Sequence, residues 1–281
     1  GHTAILLGVA TLLSAQPIES GKVTLVFQPA EENGKGAEAV LADPYFKTLS
    51  FDYVFALHNL PGFPMNQIVL REDNFNANVK TLIIDFKGKT AHAAEPEKGY
   101  NPSLAIAETL QFCDQITVNK PEQSDFFLVT PAYTQIGQTA YGISPGFGTL
   151  HLTIRSWDLE LFDQKIDLLQ NRITAICESY HLTVDYSWTE VFYANMNNAA
   201  AVHEIRQAAS QNGAEINELK VPFKWGEDFG LFTQIFKGAM FGVGAGEDSP
   251  ALHNPDYDFP DDILPTAIQT FMQIIRNNTS A

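Results

Sequence analysis

Lys22–Gln28 (KVTLVFQ), running into Pro29-Ala30-Glu31-Glu32-Asn33-Gly34, is the stretch on which the fold turns. Its β-branched and aromatic residues predict a strand. The proline and glycine beyond it predict a loop at the strand's carboxyl end. Upstream, Thr3–Ala15 (TAILLGVATLLSA) reads as an apolar helix. Downstream, a helix is expected over about Gly36–Ala42, and Asp52–Leu57 (DYVFAL) reads as a second buried strand ending at His58. Helix, strand, helix, strand is the pattern of an α/β protein with a mostly parallel sheet. Ligands in such sheets gather beyond the carboxyl ends of the strands, where Glu31, Glu32 and His58 are expected.

The pattern then changes. Lys80–Lys87, Phe126–Ala132, Gly148–Ser156 and Leu182–Tyr186 read as strands, and Pro102–Val118 and Leu159–Tyr180 as helices. Two helices and four strands at hairpin and crossover spacing predict an inserted α+β, ferredoxin-like satellite domain over roughly 74–188. The catalytic part would comprise 1–73 and 189–281. Its second piece is expected to hold helices at Ala200–Asn212, Phe229–Phe236 and Pro265–Asn277, a strand at Ala239–Gly244, and a polar loop, Gly246–Asp262, containing His253.

The 281 residues carry a formal net charge of −16. Such an acidic surface repels nucleic acid and anionic membranes, so neither is expected as a partner. The two cysteines, Cys113 and Cys177, lie in amphipathic helical patterns and read as buried thiols of a reducing compartment, which points to the cytoplasm. Ala4–Ala15 has the apolarity of a signal-peptide core, but no basic segment precedes it and it is too short to span a bilayer. A core helix is the better expectation.

Glu31-Glu32 is the sharpest chemical feature. On an extended segment adjacent side chains point to opposite sides, so one carboxylate can bind a metal while the other serves a water as general base. An acidic pair favouring a helix dipole would look the same. His58 and His253 are each unremarkable alone, yet imidazole and carboxylate are the normal ligands of Zn²⁺ and similar ions. His92, in Gly88-Lys89-Thr90-Ala91-His92-Ala93-Ala94-Glu95-Pro96, reads by itself as a loop histidine. Gly226-Glu227-Asp228-Phe229-Gly230 reads as a capped helix start.

Several short motifs share an order with one family. Gly1-His2-Thr3, Phe27-Gln28-Pro29-Ala30-Glu31-Glu32, Leu57-His58, His92-Ala93-Ala94-x-Pro96, Thr153-x-Arg155, Gly226-Glu227-Asp228-Phe229 and Leu252-His253-x-Pro255 run from the first residue nearly to the last. Together they resemble the aminoacylase and carboxypeptidase-G-like zinc amidohydrolases, in the branch of the hippurate and auxin–amino acid hydrolases. The resemblance implies hydrolysis of N-acyl amino acids or peptide-like amides with two divalent ions, zinc foremost and manganese, cobalt or nickel as alternatives. It implies Glu31 as general base, and Glu32, His58 and His253 as metal ligands. His92 would stabilise the oxyanion in the active site of a partner subunit, the homodimer forming through the satellite domain. Arg155 would hold the substrate carboxylate.

Two departures bear on that expectation. The family's Cys and first His would precede Gly1, so this chain is expected to bind metal weakly or at one site, and a degenerate, non-catalytic relative is the alternative. Gly142-Ile143-Ser144-Pro145 stands where the family has Asn-Val-Ile-Pro, so amide specificity is expected to differ.

Overall fold

A computed structural model describes residues 1–279, which form two compact units. The first unit comprises residues 1–75, 195–223 and 227 onward, and the second comprises 76–194 and 224–226.

The first unit is built on a four-stranded mixed sheet in the order Val54–Leu60, Gly238–Gly244, Ile68–Leu70, Ile216–Glu218. Val54–Leu60 runs parallel to Gly238–Gly244, and Ile68–Leu70 runs parallel to Ile216–Glu218; the central pairing is antiparallel. Every residue of Gly238–Gly244 is buried, as expected of a strand covered on both faces. Ile5, Val202, Ile205, Phe241 and Ala267 join one core. They bring together the sheet and the helices His2–Ala15, Ala199–Gln211 and Leu264–Thr279. Each large apolar side chain so buried contributes roughly 1.5–3 kcal/mol. Asn198 starts the Ala199–Gln211 helix by accepting from the amides of Ala200 and Ala201.

The second unit is an antiparallel sheet in the order Phe127–Ile136, Phe147–Ser156, Asn78–Lys87, Thr183–Phe192, with helices Ser103–Ile116 and Leu159–Ser179. This strand–helix–strand–strand–helix–strand succession is that of a ferredoxin-like fold. Burial alternates along Phe147–Ser156 with a period of two. Leu150, Leu152 and Ile154 pack against Phe162, Ile166, Leu169 and Ile173 of the long helix. Asp158 caps that helix by accepting from the Leu161 amide at 2.7 Å.

Three expectations need correction. Lys22–Gln28 is not a strand: it has no ladder partner among the described residues, and Phe27 is 52% exposed. High β propensity creates a strand only where a neighbour supplies the hydrogen bonds. Glu31–Asn33 is a single 3-10 turn and not extended chain. The helix His2–Ala15 buries Ile5 and Val9 but leaves Leu7 and Leu12 exposed, so it covers the core with one face only. Among the described residues, no helix is long and apolar enough to cross a membrane.

Candidate active site

Ala30 adopts a left-handed conformation (φ 57°, ψ 37°) and turns the chain into the Glu31–Asn33 turn. Successive residues of a 3-10 turn lie about 120° apart, so Glu31 and Glu32 still face different ways. The Glu31 carboxylate comes close to Glu227 and Asp228: donor atoms of the three lie within 4.8 Å of one another. Burial raises the Glu31 pKa above the usual carboxylate range, and the charges of Asp228 and Glu32 add to the rise. Burial pushes Glu227 well above that range, with Glu31 and Asp228 adding to it.

Asp228 has a second task. Its Oδ2 accepts from the Ala37 amide at 2.8 Å and its Oδ1 accepts from Gln28 Nε2 at 2.6 Å. It therefore caps the helix Gly36–Ala42 and ties both ends of the Gln28–Gly36 loop, the segment that presents Glu31 and Glu32. The expected capping of their own helix start holds for Glu227, whose Oε1 accepts from the Phe229 amide at 3.3 Å, and is corrected for Asp228, whose side chain caps a helix 191 residues away. Gly36 is required there, because a Cβ would lie 2.1 Å from the Pro29 carbonyl oxygen.

His58 lies within Val54–Leu60, opposite Gly242. Its Nδ1 is 2.8 Å from the Asn59 carbonyl oxygen. A carbonyl only accepts, so Nδ1 carries the proton and Nε2 the lone pair. Burial holds its pKa below the ordinary value; the charge of Glu32 raises it and His253 lowers it. The His2 ring stands edge-on to it at 5.4 Å. His2 keeps a solvent-exposed share, but the atoms packed round the ring, then His58, bring its pKa down to about 4. His253 lies in an irregular loop at φ 66°.

Glu31, Glu32, His58 and His253 belong to the first unit, whereas His92 and Arg155 belong to the second. Electrostatic coupling links the first four. Glu32, His58 and His253 do not, however, form a group as tight as Glu31, Glu227 and Asp228. His92 is exposed, on a two-residue bridge pairing with Ile143, and its Nδ1 accepts from the Ala94 amide at 3.0 Å. Its Nε2 therefore carries the proton as a donor. Arg155 donates from Nη1 to the Lys224 carbonyl at 3.3 Å; burial lowers its pKa and Glu190 raises it. A Cβ at Gly142 would meet nothing within 4 Å.

Sequence reasoning gave no role to Gln28, Asn59 or Tyr257 and the wrong helix to Asp228, because their side-chain partners are distant along the chain. The donor chemistry nevertheless fits a divalent cation. Four carboxylates and two imidazoles serve the region, and among the described residues no lysine or arginine forms an ion pair with those carboxylates. Oxygen and imidazole donors with uncompensated negative charge suit zinc-like ions.

The model of peptidase family M20/M25/M40 matches residues 1–277. The chain belongs to that family. It is a hydrolase of metallopeptidase type, as its relatives' names indicate. Among the M20 relatives, hippurate hydrolase of Campylobacter jejuni is 27% identical over 278 residues, covering 98% of this chain and 71% of the relative. N-acetyldiaminopimelate deacetylase of Bacillus licheniformis is 28% identical over 270 residues, covering 95% and 71%. A Bacillus subtilis structure described as a dinuclear metal binding peptidase of the M20 family superposes with a TM-score of 0.80 at 23% identity, covering 99% of this chain and 71% of that one. At that identity the superposition shows the M20 fold alone.

Proposed function

We propose that the protein hydrolyses the amide bond of N-acyl amino acids or similar peptide-like amides. The observation that carries this reading is the half-buried Glu31 carboxyl, which feels the charges of Glu32 and His253 and has a carboxylate oxygen within 4.8 Å of those of Glu227 and Asp228. The hydrolase and deacetylase names of its relatives support the same class of chemistry and weigh against a non-catalytic protein.

Glu32, His58 and His253 would hold divalent metal, which when bound supplies carbonyl polarisation and acidifies water. Glu31 accepts the proton of the attacking water and returns it to the leaving amide nitrogen. Its pKa, raised first by burial, makes the carboxylate a stronger base than an exposed one. Asp228 keeps Glu31 in place through the Gln28–Gly36 loop. His92 donates from Nε2 to the oxyanion, reaching the site of a second copy that pairs through the ferredoxin-like unit. Arg155 retains donors beyond its bond to Lys224 for a substrate carboxylate.

The test is hydrolysis of a panel of N-acetyl and N-benzoyl amino acids after loading with Zn²⁺, Mn²⁺, Co²⁺ or Ni²⁺. Release of free amino acid that stops on chelation and returns with metal is expected. No turnover of any member with any of the four ions would refute the proposal.

A further inference from the structure

A run of hydrogen bonds connects the His58 strand to the loop that carries His253. The Asn59 carbonyl accepts from His58 Nδ1 at 2.8 Å. The Asn59 side chain, in a residue only 4% exposed, donates through Nδ2 to the Tyr257 hydroxyl. The Tyr257 amide donates to the Asn254 carbonyl at 3.0 Å, and the Asn254 amide to the Ala251 carbonyl at 3.2 Å. His253 sits inside the first of these turns by chain order, Ala251–Asn254, and the Asn254–Tyr257 turn follows directly. At the loop's other end, Ser249 Oγ donates to the Ala245 carbonyl at 2.6 Å, and the Ala245 amide donates to the Leu60 carbonyl at 2.9 Å. The loop is thus fastened on both sides of His253 to the end of the His58 strand.

Two physical facts give this arrangement a purpose. A left-handed backbone at a non-glycine residue such as His253 (φ 66°) persists only where its surroundings over-determine it. An amide side chain can also donate to one neighbour and accept from another, whereas a carboxylate only accepts. Asn59 uses its donor side in this way, towards the Tyr257 hydroxyl.

We propose that Asn59 and Tyr257 are positioning residues, whose side-chain hydrogen bond sets the placement of His253 relative to His58. The proposal rests on the assignment of those two histidines to the active site. Neither residue touches substrate in this account; each acts through a histidine. Outer partners of this kind orient metal-binding imidazoles, and their loss commonly costs about 10–100-fold in metal affinity.

The test uses metal-free protein, so it does not depend on turnover. Hydrogen exchange of the 249–258 peptides and the ¹⁵N-labelled ring signals of His253, His151 and His203 are compared in the parent, Tyr257→Phe, Asn59→Ala and the double variant. Tyr257→Phe keeps the ring and removes only the hydroxyl. Exchange at 249–258 is expected to quicken about tenfold, the scale of one lost hydrogen bond. The His253 ring signals should shift while those of His151 and His203 stay. Adding Tyr257→Phe to Asn59→Ala should produce no further change, because the two share one interaction. Unchanged exchange and ring signals in Tyr257→Phe would overturn the proposal. So would loss of protection throughout Ala199–Gln211, which would mark a general packing role. Intact coupling in a protein that hydrolyses no amide would leave the positioning in place and remove the functional reading.

Discussion

Cys113 and Cys177 show how burial at single residues sets chemistry. Both are free and almost wholly buried. Burial pushes the Cys113 thiol from its ordinary 9.0 up to about 12, and that of Cys177 up to about 11. The folded chain therefore holds these protons more tightly than the unfolded chain does. That contribution is intact below about pH 9 and is lost as pH climbs through 11 and 12. At mildly alkaline pH, iodoacetamide should modify both thiols far more slowly in the native protein than in urea; equal rates would show that they are accessible. Buried thiols were legible from the amphipathic spacing alone. The partner of Asp228 was not, because a capped helix start looks the same whichever helix the carboxylate serves. Only the folded chain puts the Ala37 amide 2.8 Å away.

Among the elements, legibility followed length and pairing. Leu159–Ser179 and Phe147–Ser156 are long enough for a period to show, and both lie where their patterns place them. Ile68–Leu70 and Ile216–Glu218 have three residues each, too few to carry a period, and neither was foreseen as a strand. Lys22–Gln28 failed for the opposite reason: strong propensity met no ladder. What organises that segment is the Asp228 tie across the Gln28–Gly36 loop. Gly36→Ala would drive a methyl into the Pro29 carbonyl, which belongs to backbone and cannot swing aside. A loss of about 1–3 kcal/mol is expected, read as a lower urea midpoint together with faster exchange at Gly36–Ala42. An unchanged midpoint would mean that the loop is not held as described.

At the scale of the whole molecule, the charge of −16 enters as self-repulsion. Screening shortens from about 30 Å at 0.01 M salt to about 8 Å at 0.15 M, so the thermal midpoint should rise over that range. A flat or falling midpoint would show that the acidic groups are already compensated. The sequence motifs made the family and the α/β class legible, since each motif is local. How Glu31, Glu32, His58 and His253 relate in space depends on loops at Ala30–Gly34 and Gly246–Pro260 that carry no periodic signal. The measurement that tests the central claim most directly is the turnover number of the metal-loaded protein on its best N-acyl amino acid, against that of Glu31→Gln. A fall of about 10²–10⁴-fold is expected, the usual worth of a general base, with metal content unchanged. A Glu31→Gln variant that turns over at the parent's rate would contradict the account.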